Sequence, residues 1–472
     1  MKNLTLRNIA FACRGTYHGP EEMMDTEVES ITTDSRKASE DCLFVPIVGA
    51  RSDGHDFIGQ VMEKGALCTL SEKELPGEAH PWIRVDSSLQ AVKDIAEFYL
   101  KQLAIPVVGI TGSVGKTSTK EMVAAVLSQK YRVLKTQGNF NNELGLPLTV
   151  FRLREEDEIA VLEMGISDFE EMHRLARIAR PDTCVITNIG YCHLENLKSL
   201  DGVLKAKTEM FDYMKEDGCA VLNGDDEKLR TVKTVKGKSP VFFGVDTPCD
   251  FYADQIVNLG LEGVSCRLHT DIGAVDVKIP TPGEHTVYNA LAGAAVGRLY
   301  HLSLEEIKRG IENPERVSGR FRIIQKADYT IIDDCYNANP VSMKASLRVL
   351  QDASGRKAAV LGDMGELGAD EEDLHRQVGA FAASCDIQLL VCVGKLSCHM
   401  AQAARETNPN LRVVYIKDLE ELEKRLPTLL EKGDTILIKA SHFMQFDKAA
   451  ASRCASSQRI WPPCAPPWPP PP

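Results

Sequence analysis

No apolar run in the 472 residues approaches the length of a membrane span. The opening stretch, MKNLTLRNIAFACRG, lacks the extended apolar core and cleavage site of a secretory signal. Positive charge is in the minority: 55 Lys and Arg against 67 Asp and Glu give a net charge of −12, and no basic cluster supplies a local nucleic-acid footprint. The fourteen cysteines are scattered without a CxxC pair, which argues against a zinc site and for buried thiols. What remains is an ordinary globular composition, 43% hydrophobic and 26% charged, in a chain too long for one core. A cytoplasmic monomer without nucleic-acid or membrane partners is the expectation.

The pattern along the chain predicts an α/β protein of three domains. Residues 1–103 read as a small mixed α/β domain, with strands at 43–47 and 65–70 and a helix over 88–102. Residues 104–313 read as a central P-loop parallel-sheet domain. Apolar runs at 107–111, 159–162, 184–187 and 220–222 alternate there with helical stretches, and antiparallel strands follow over 251–279 at the sheet edge. A helix rich in small residues follows at 284–300. Residues 314–450 read as a C-terminal Rossmann-like α/β domain, with strands near 329–332, 358–361, 389–393, 413–416 and 435–438. Residues 451–472 break the pattern: eight of the last eleven are proline, so neither a strand nor a helix can be built. The tail reads as disordered or frame-shifted, with a polyproline ligand as the alternative.

The strongest motif is Gly112-Ser113-Val114-Gly115-Lys116-Thr117-Ser118, between a buried strand and a helix. Glycines let backbone N–H groups close on phosphate, Lys116 adds an ammonium, and Thr117 offers a hydroxyl to Mg²⁺. The spacing is G-x-x-G-K-T, shorter than the general P-loop. A second cluster, Asn139-Phe140-Asn141-Asn142, suits either a polar ligand or an Asn-rich turn. Glu163 and His193 lie at or after strand ends, on the edge expected to carry the phosphate loop; a carboxylate there can hold Mg²⁺. Lys205-Ala206-Lys207-Thr208-Glu209 reads as the start of a helix with a solvated charged face. Asp333-Asp334-Cys335-Tyr336-Asn337-Ala338-Asn339 ends a strand at the ligand edge of the third domain, with Arg320 upstream as a phosphate partner.

Together these words resemble the Mur ligase family. The match runs over about residues 28–448 through Asp34-Ser35-Arg36, FVPIVGARSDGHDFI, GITGSVGKTSTKE, NFNNELGLP, LEMG, AKTEMF, GEHTVYNALA, DDCYNANPVSM and VLGDMGELG, in family order. NFNNELGLP and DDCYNANPVSM point to the branch that joins D-alanyl-D-alanine to UDP-N-acetylmuramoyl-tripeptide in peptidoglycan precursor synthesis. The resemblance implies an ATP-dependent ligase working through an acyl phosphate, with Lys116, Glu163, His193 and Lys207 as the catalytic set. It implies that Asp34, Ser35, Arg36, Arg51, Asp53, Gly54, His55, Asn139, Asn141, Asn142, Asn337 and Asn339 meet substrate. Asn289, Arg320, Asp334 and Tyr336 would join the phosphate loop around ATP. Lys207 would be carbamylated, and Thr117, Glu163, His193 and Lys207 would hold Mg²⁺, as two ions.

Two departures stand out. Thr286 occupies a position where the family has Asn, and Ala440 and His442 replace Gly and Arg near the end. Rival readings are another amino-acid ligase of the same family, a P-loop NTPase switch or kinase, and a nucleotide-binding module without catalysis.

Overall fold

The computed structural model describes residues 1–49, 52–75, 77, 80–315 and 321–446. Arg51, Arg320 and the tail from 447 onward, with the reading of 451–472, lie outside the described residues.

The first unit is a five-stranded sheet with three helices: α1 (Leu6–Ala12), β1 (Thr16–His18), β2 (Ser30–Thr32), β3 (Cys42–Phe44), α2 (Ile58–Glu63), β4 (Cys68–Ser71), β5 (Trp82–Arg84) and α3 (Ser88–Leu103). Its strand order is β1-β5-β4-β3-β2, with only β1 antiparallel. The strand expected at 65–70 starts three residues later, at Cys68, because Gly65 turns the chain at φ 90° after α2.

The central unit runs β6 (Val107–Thr111), α4 (Lys116–Leu127), β7 (Val133–Lys135), α5 (Gly145–Val150), β8 (Ile159–Glu163), α6 (Glu171–Ala179), β9 (Thr183–Ile186), α7 (Leu194–Leu197) and α8 (Leu200–Thr208). It continues through β10 (Cys219–Asn223), β11 (Val241–Gly244), β12 (Phe251–Asn258), β13 (Val264–Thr270), β14 (Gly273–Ile279), α9 (His285–Leu299) and α10 (Leu304–Glu312). The nine strands lie in the order β14-β13-β12-β11-β10-β9-β6-β8-β7, parallel from β7 to β12 and antiparallel beyond. Every residue of β6, β8 and β9 is buried, as a sheet covered by helices on both faces requires. Helices α9 and α10 press closely on α4: a Cβ at Gly310 would stand 2.5 Å from the Val126 Cα, so the expected small-residue helix is one part of a tight three-helix layer.

The third unit runs β15 (Arg322–Gln325), β16 (Tyr329–Asp333), α11 (Pro340–Gln351), β17 (Lys357–Gly362), α12 (Glu371–Ser384), β18 (Leu389–Val393), α13 (Ser397–Thr407), β19 (Arg412–Ile416), α14 (Leu419–Leu429) and β20 (Asp434–Lys439). The order β15-β16-β20-β17-β18-β19, parallel except for β15, is the doubly wound arrangement expected. Short β7 and β11 and the antiparallel edge strand β15 carry too little periodic signal to have been anticipated.

Candidate nucleotide and metal site

The phosphate loop leaves β6 at Thr111 and enters α4 at Lys116. Gly112 (φ 149°) passes so close to Thr187 that a Cβ would fall 1.9 Å from its hydroxyl; Gly115 (φ 85°) caps α4 in left-handed geometry. The following loops brace this turn. Asn188 accepts the Val114 N–H at its Oδ1 and donates from Nδ2 to the Val114 carbonyl, each at 2.9 Å; the Thr187 hydroxyl donates to the same carbonyl at 2.6 Å. Ser113 donates to the Gly190 carbonyl (3.1 Å) and accepts the Gly190 N–H (2.8 Å). Lys116 Nζ donates back to the Gly112 carbonyl at 2.8 Å. The amide-bearing residue after β9 thus reads as loop architecture, a role that a fragment such as ITNIG does not disclose by itself.

Glu163 ends β8 beside the loop, since β8 pairs with β6 in register Ile110↔Glu163. Its carboxylate is 1% exposed. Oε2 accepts the Thr117 hydroxyl at 2.9 Å, and Oε1 accepts the Asn141 amide at 2.8 Å. The Glu163 N–H donates to Thr136 Oγ1 at 2.9 Å. A buried carboxylate beside a hydroxyl on the first turn of the loop helix is a pair of hard oxygen donors, the chemistry Mg²⁺ selects. The donor set therefore fits the ion.

Lys207 overturns one expectation. Its segment closes α8 instead of opening a helix, because Ser199 caps the helix start eight residues earlier by accepting the Gly202 N–H. The side chain is also 1% exposed, so it belongs to the interior and not to a solvated face. Burial pushes its pKa down to about 8, with the positive charge of Lys116 adding to the shift. Its ammonium makes no hydrogen bond or ion pair among the described residues.

His193 stands at φ 50° ahead of α7, and its Nδ1 lies 2.8 Å from Glu366 Oε2 of the third unit. The structure thus joins Thr117 to Glu163 but engages His193 elsewhere. Among the described residues no three His, Cys, Asp or Glu side chains gather around one point.

A cleft of about 1370 Å³, counted with its open mouth, separates the phosphate loop from the third unit. Its lining includes Ser113, Val114, Gly115, Lys116, Ser118 and Asn289 on one side and Asp334, Tyr336, Asn337 and Asn339 on the other. Asn289 Oδ1 accepts the Thr119 hydroxyl at 3.0 Å, tying α9 to α4. Asp334 pairs with buried Lys439 and accepts the Ser346 hydroxyl at 2.8 Å; Lys439 also donates to the Asn337 carbonyl at 3.0 Å. Asn339 is the N-cap of α11 in a capping box with Ser342. Sequence reasoning passed over Tyr288, which lines the cleft and donates to Asp225 at 3.0 Å, and over Lys439.

The first-unit residues stand apart from this cleft. Asp34 caps a short 3₁₀ turn and forms a two-point pair with Arg36, both bonds at 2.8 Å; Ser35 opens that turn. Asp53 binds Lys73, and its carboxyl is held well below the usual range by Lys73 and by the His55 N–H; Gly54 follows it. Among the amides after β7, Asn142 accepts the Gly145 N–H at 2.8 Å to open α5, and Asn139 is exposed.

The departures have local partners. The Thr286 hydroxyl donates to the Gly283 carbonyl at 2.7 Å at the entrance to α9. Ala440 is fully buried against Gly362, and His442 meets the Tyr336 ring edge-on at 6.1 Å.

A phosphate loop on a helix-covered parallel sheet, an oxygen donor pair beneath it and an α/β unit facing it across the cleft define an ATP-dependent enzyme. Three family models match in tandem: the Mur ligase family catalytic domain over 27–100, the Mur ligase middle domain over 110–297, and the Mur ligase glutamate ligase domain over 319–442. The UDP-N-acetylmuramoyl-tripeptide–D-alanyl-D-alanine ligase of Bacillus subtilis (strain 168) is 38% identical over 451 residues, 94% of this chain and 97% of its own. The crystal structure of MurF from Acinetobacter baumannii superposes with TM-score 0.86 at 32% identity, covering 95% of this chain and 98% of that one. MurF from Thermotoga maritima, solved in complex with ADP, superposes with TM-score 0.78 at 29% identity over 89% of this chain and 96% of its own. The chain belongs to the Mur ligase family, whose members are ATP-dependent and form amide bonds. No helix among the described residues is long and apolar enough to cross a membrane.

Proposed function

We propose that this protein joins D-alanyl-D-alanine to UDP-N-acetylmuramoyl-tripeptide at the expense of ATP. The observation that carries the chemistry is the Thr117–Glu163 pair buried beneath a braced phosphate loop, the loop itself lining a cleft faced by Asp334 and Tyr336. The reaction has two steps. A carboxylate oxygen of the tripeptide attacks the γ-phosphorus, the bond to the β–γ bridging oxygen breaks, and ADP leaves. The amine of the dipeptide then attacks the acyl carbon, loses a proton and expels phosphate.

The chain's own groups serve these steps through charge and position. The N–H groups of the phosphate loop and the Lys116 ammonium hold the β- and γ-phosphates. Asn188 and Thr187 fix the course of the loop backbone, and Lys116 turns from the Gly112 carbonyl to reach the phosphates. Asn289 and Tyr336 flank the nucleotide from opposite sides of the cleft, and Arg320 is assigned to its phosphates on the family resemblance alone. Asp34, Ser35, Arg36, Arg51, Asp53, Gly54 and His55 hold the UDP-linked substrate from the first unit. Asn139 and Asn141 turn its peptide end toward the cleft, and Asn337 and Asn339 face the acceptor. In this reading the three domains are 1–103, 104–313 and 314–450.

Thr117 and Glu163 would hold Mg²⁺, which neutralises phosphate charge when bound. His193 and Lys207 would complete a second Mg²⁺ site with Glu163. An ammonium cannot ligate a cation, but a neutral amine adds to CO₂ and loses a proton to give a carbamate with carboxylate-like oxygens. A buried lysine with pKa about 8 has a large neutral fraction near that pH, which suits the addition. The missing third acidic donor is then the modified lysine itself.

The test is phosphate release in a mixture of protein, ATP, Mg²⁺, UDP-N-acetylmuramoyl-tripeptide and D-alanyl-D-alanine. Release is expected only when all are present. Release that ignores the dipeptide, or that is driven equally by single amino acids, contradicts the assignment.

A further inference from the structure

Lys120 is a charged side chain with 1% exposure, and the reaction above gives it no task. It lies three residues beyond Thr117 on α4, so both project from one helix face toward the end of β8. Its ammonium donates to the Thr136 carbonyl at 2.7 Å, stands 3.1 Å from Glu121 Oε1 and 3.7 Å from Glu163 Oε2. Glu121 is paired in turn with Lys135, and Lys135 with Glu315. Thr136 also receives the Glu163 N–H, so the same short segment anchors both partners. Burying an ammonium is costly, and an apolar chain of similar length would fill the space without that cost. At 3.7 Å the contact with Glu163 is longer than a hydrogen bond, so Lys120 acts on that carboxylate through charge.

We propose that Lys120 is a positioning residue that stands in for the divalent cation. It neutralises Glu163 and keeps it against Thr117 while the site is free of nucleotide. A divalent cation is therefore taken up only together with the triphosphate, whose negative charge outweighs the fixed ammonium. Lys120 stays on Thr136 and Glu121 throughout, so the order of binding is built into the resting charge balance. This rests on the reading of Glu163 as a metal ligand.

The probe is Mn²⁺, with the free ion followed by electron paramagnetic resonance, with and without a non-hydrolysable ATP analogue. The wild type should take up Mn²⁺ only with the analogue. Lys120→Met and Lys120→Gln should bind it without nucleotide at least about tenfold more tightly than the wild type, from loss of one nearby positive charge. Lys120→Arg should behave as the wild type, and the gain should vanish in the Lys120→Met/Glu163→Gln double variant. Tight nucleotide-free binding by the wild type overturns the proposal whatever the variants do. So does the absence of any gain in variants whose circular dichroism is unchanged. A different result, Glu163→Gln taking up Mn²⁺ with the analogue as readily as the wild type, would remove Glu163 as a ligand and fell the underlying reading instead.

Discussion

His193 of the central unit and Glu366 of the third unit meet, Nδ1 to Oε2 at 2.8 Å, and both hold left-handed backbone, at φ 50° and 61°. The hydrogen bond from His193 holds the Glu366 carboxyl below its usual range. Two non-glycine residues in that geometry store strain that the contact helps to offset. With Nδ1 held by Glu366, Nε2 is the ring nitrogen left to meet a cation, and the carboxylate fixes the orientation of the ring. Glu366→Ala should therefore raise the Mg²⁺ concentration for half-maximal phosphate release by about tenfold or more, the usual cost of losing such a support. An Mg²⁺ titration of the rate checks this, and an unchanged or lower requirement would show that the Glu366 contact does not serve cation binding.

Lys207 makes two predictions. Lys207→Ala should cut the rate by about 10²–10³-fold, with part of it returned by short carboxylic acids that replace the carbamate oxygens. The second concerns stability in carbonate-free buffer. The folded pKa near 8 lies below the ordinary 10.5, so between these values the unfolded chain binds more protons than the folded one. Wild-type stability should then gain a rising contribution from pH 8 to 10.5, absent in Lys207→Met. Parallel melting curves of the two proteins over that range would place the titration on another group.

Asn188→Ala removes both hydrogen bonds to Val114 and leaves the loop to Thr187 and Ser113. Affinity for ADP should fall about ten- to a hundredfold, the cost of leaving such groups unpaired at roughly 1–3 kcal/mol. Calorimetry measures it, and an unaffected affinity would mean the loop holds its shape unaided.

Thr286→Val keeps the shape but removes the donor to the Gly283 carbonyl. A loss of about 1 kcal/mol is expected, seen as a melting temperature lower by roughly 2–4 °C. Thr286→Asn should recover part of it, because an amide can donate to the same carbonyl.

The sheet edge that carries the site was legible because strands β6, β8 and β9 are largely apolar and end on Gly112-Ser113, Glu163 and Thr187-Asn188, residues able to meet a phosphate or a cation. The fate of Lys207 was not legible from local sequence. AKTE has the composition of an exposed helix face, and only the packing of α8 shows the side chain to be interior. Asn188 and Lys120 escaped for a related reason: their partners, Val114, Glu163 and Thr136, are distant in sequence and adjacent only through strand register. Resemblance supplied the proposed roles of His193 and Lys207, which residue chemistry alone did not suggest; it did not supply the His193–Glu366 contact, which depends on how two units meet.

The antiparallel end of the central sheet has a practical side. β14 lies six strands from β6 in the sheet order, roughly 29 Å at about 4.8 Å per strand. The β13–β14 turn places Ile272 half-exposed at that far rim, where Asp271 is pinned by Arg298. A fluorophore attached at position 272 would ride on a rigid frame while remaining remote from nucleotide and metal. Paired with a second label on the third unit, it would report whether the width of the cleft changes on nucleotide binding without touching the chemistry.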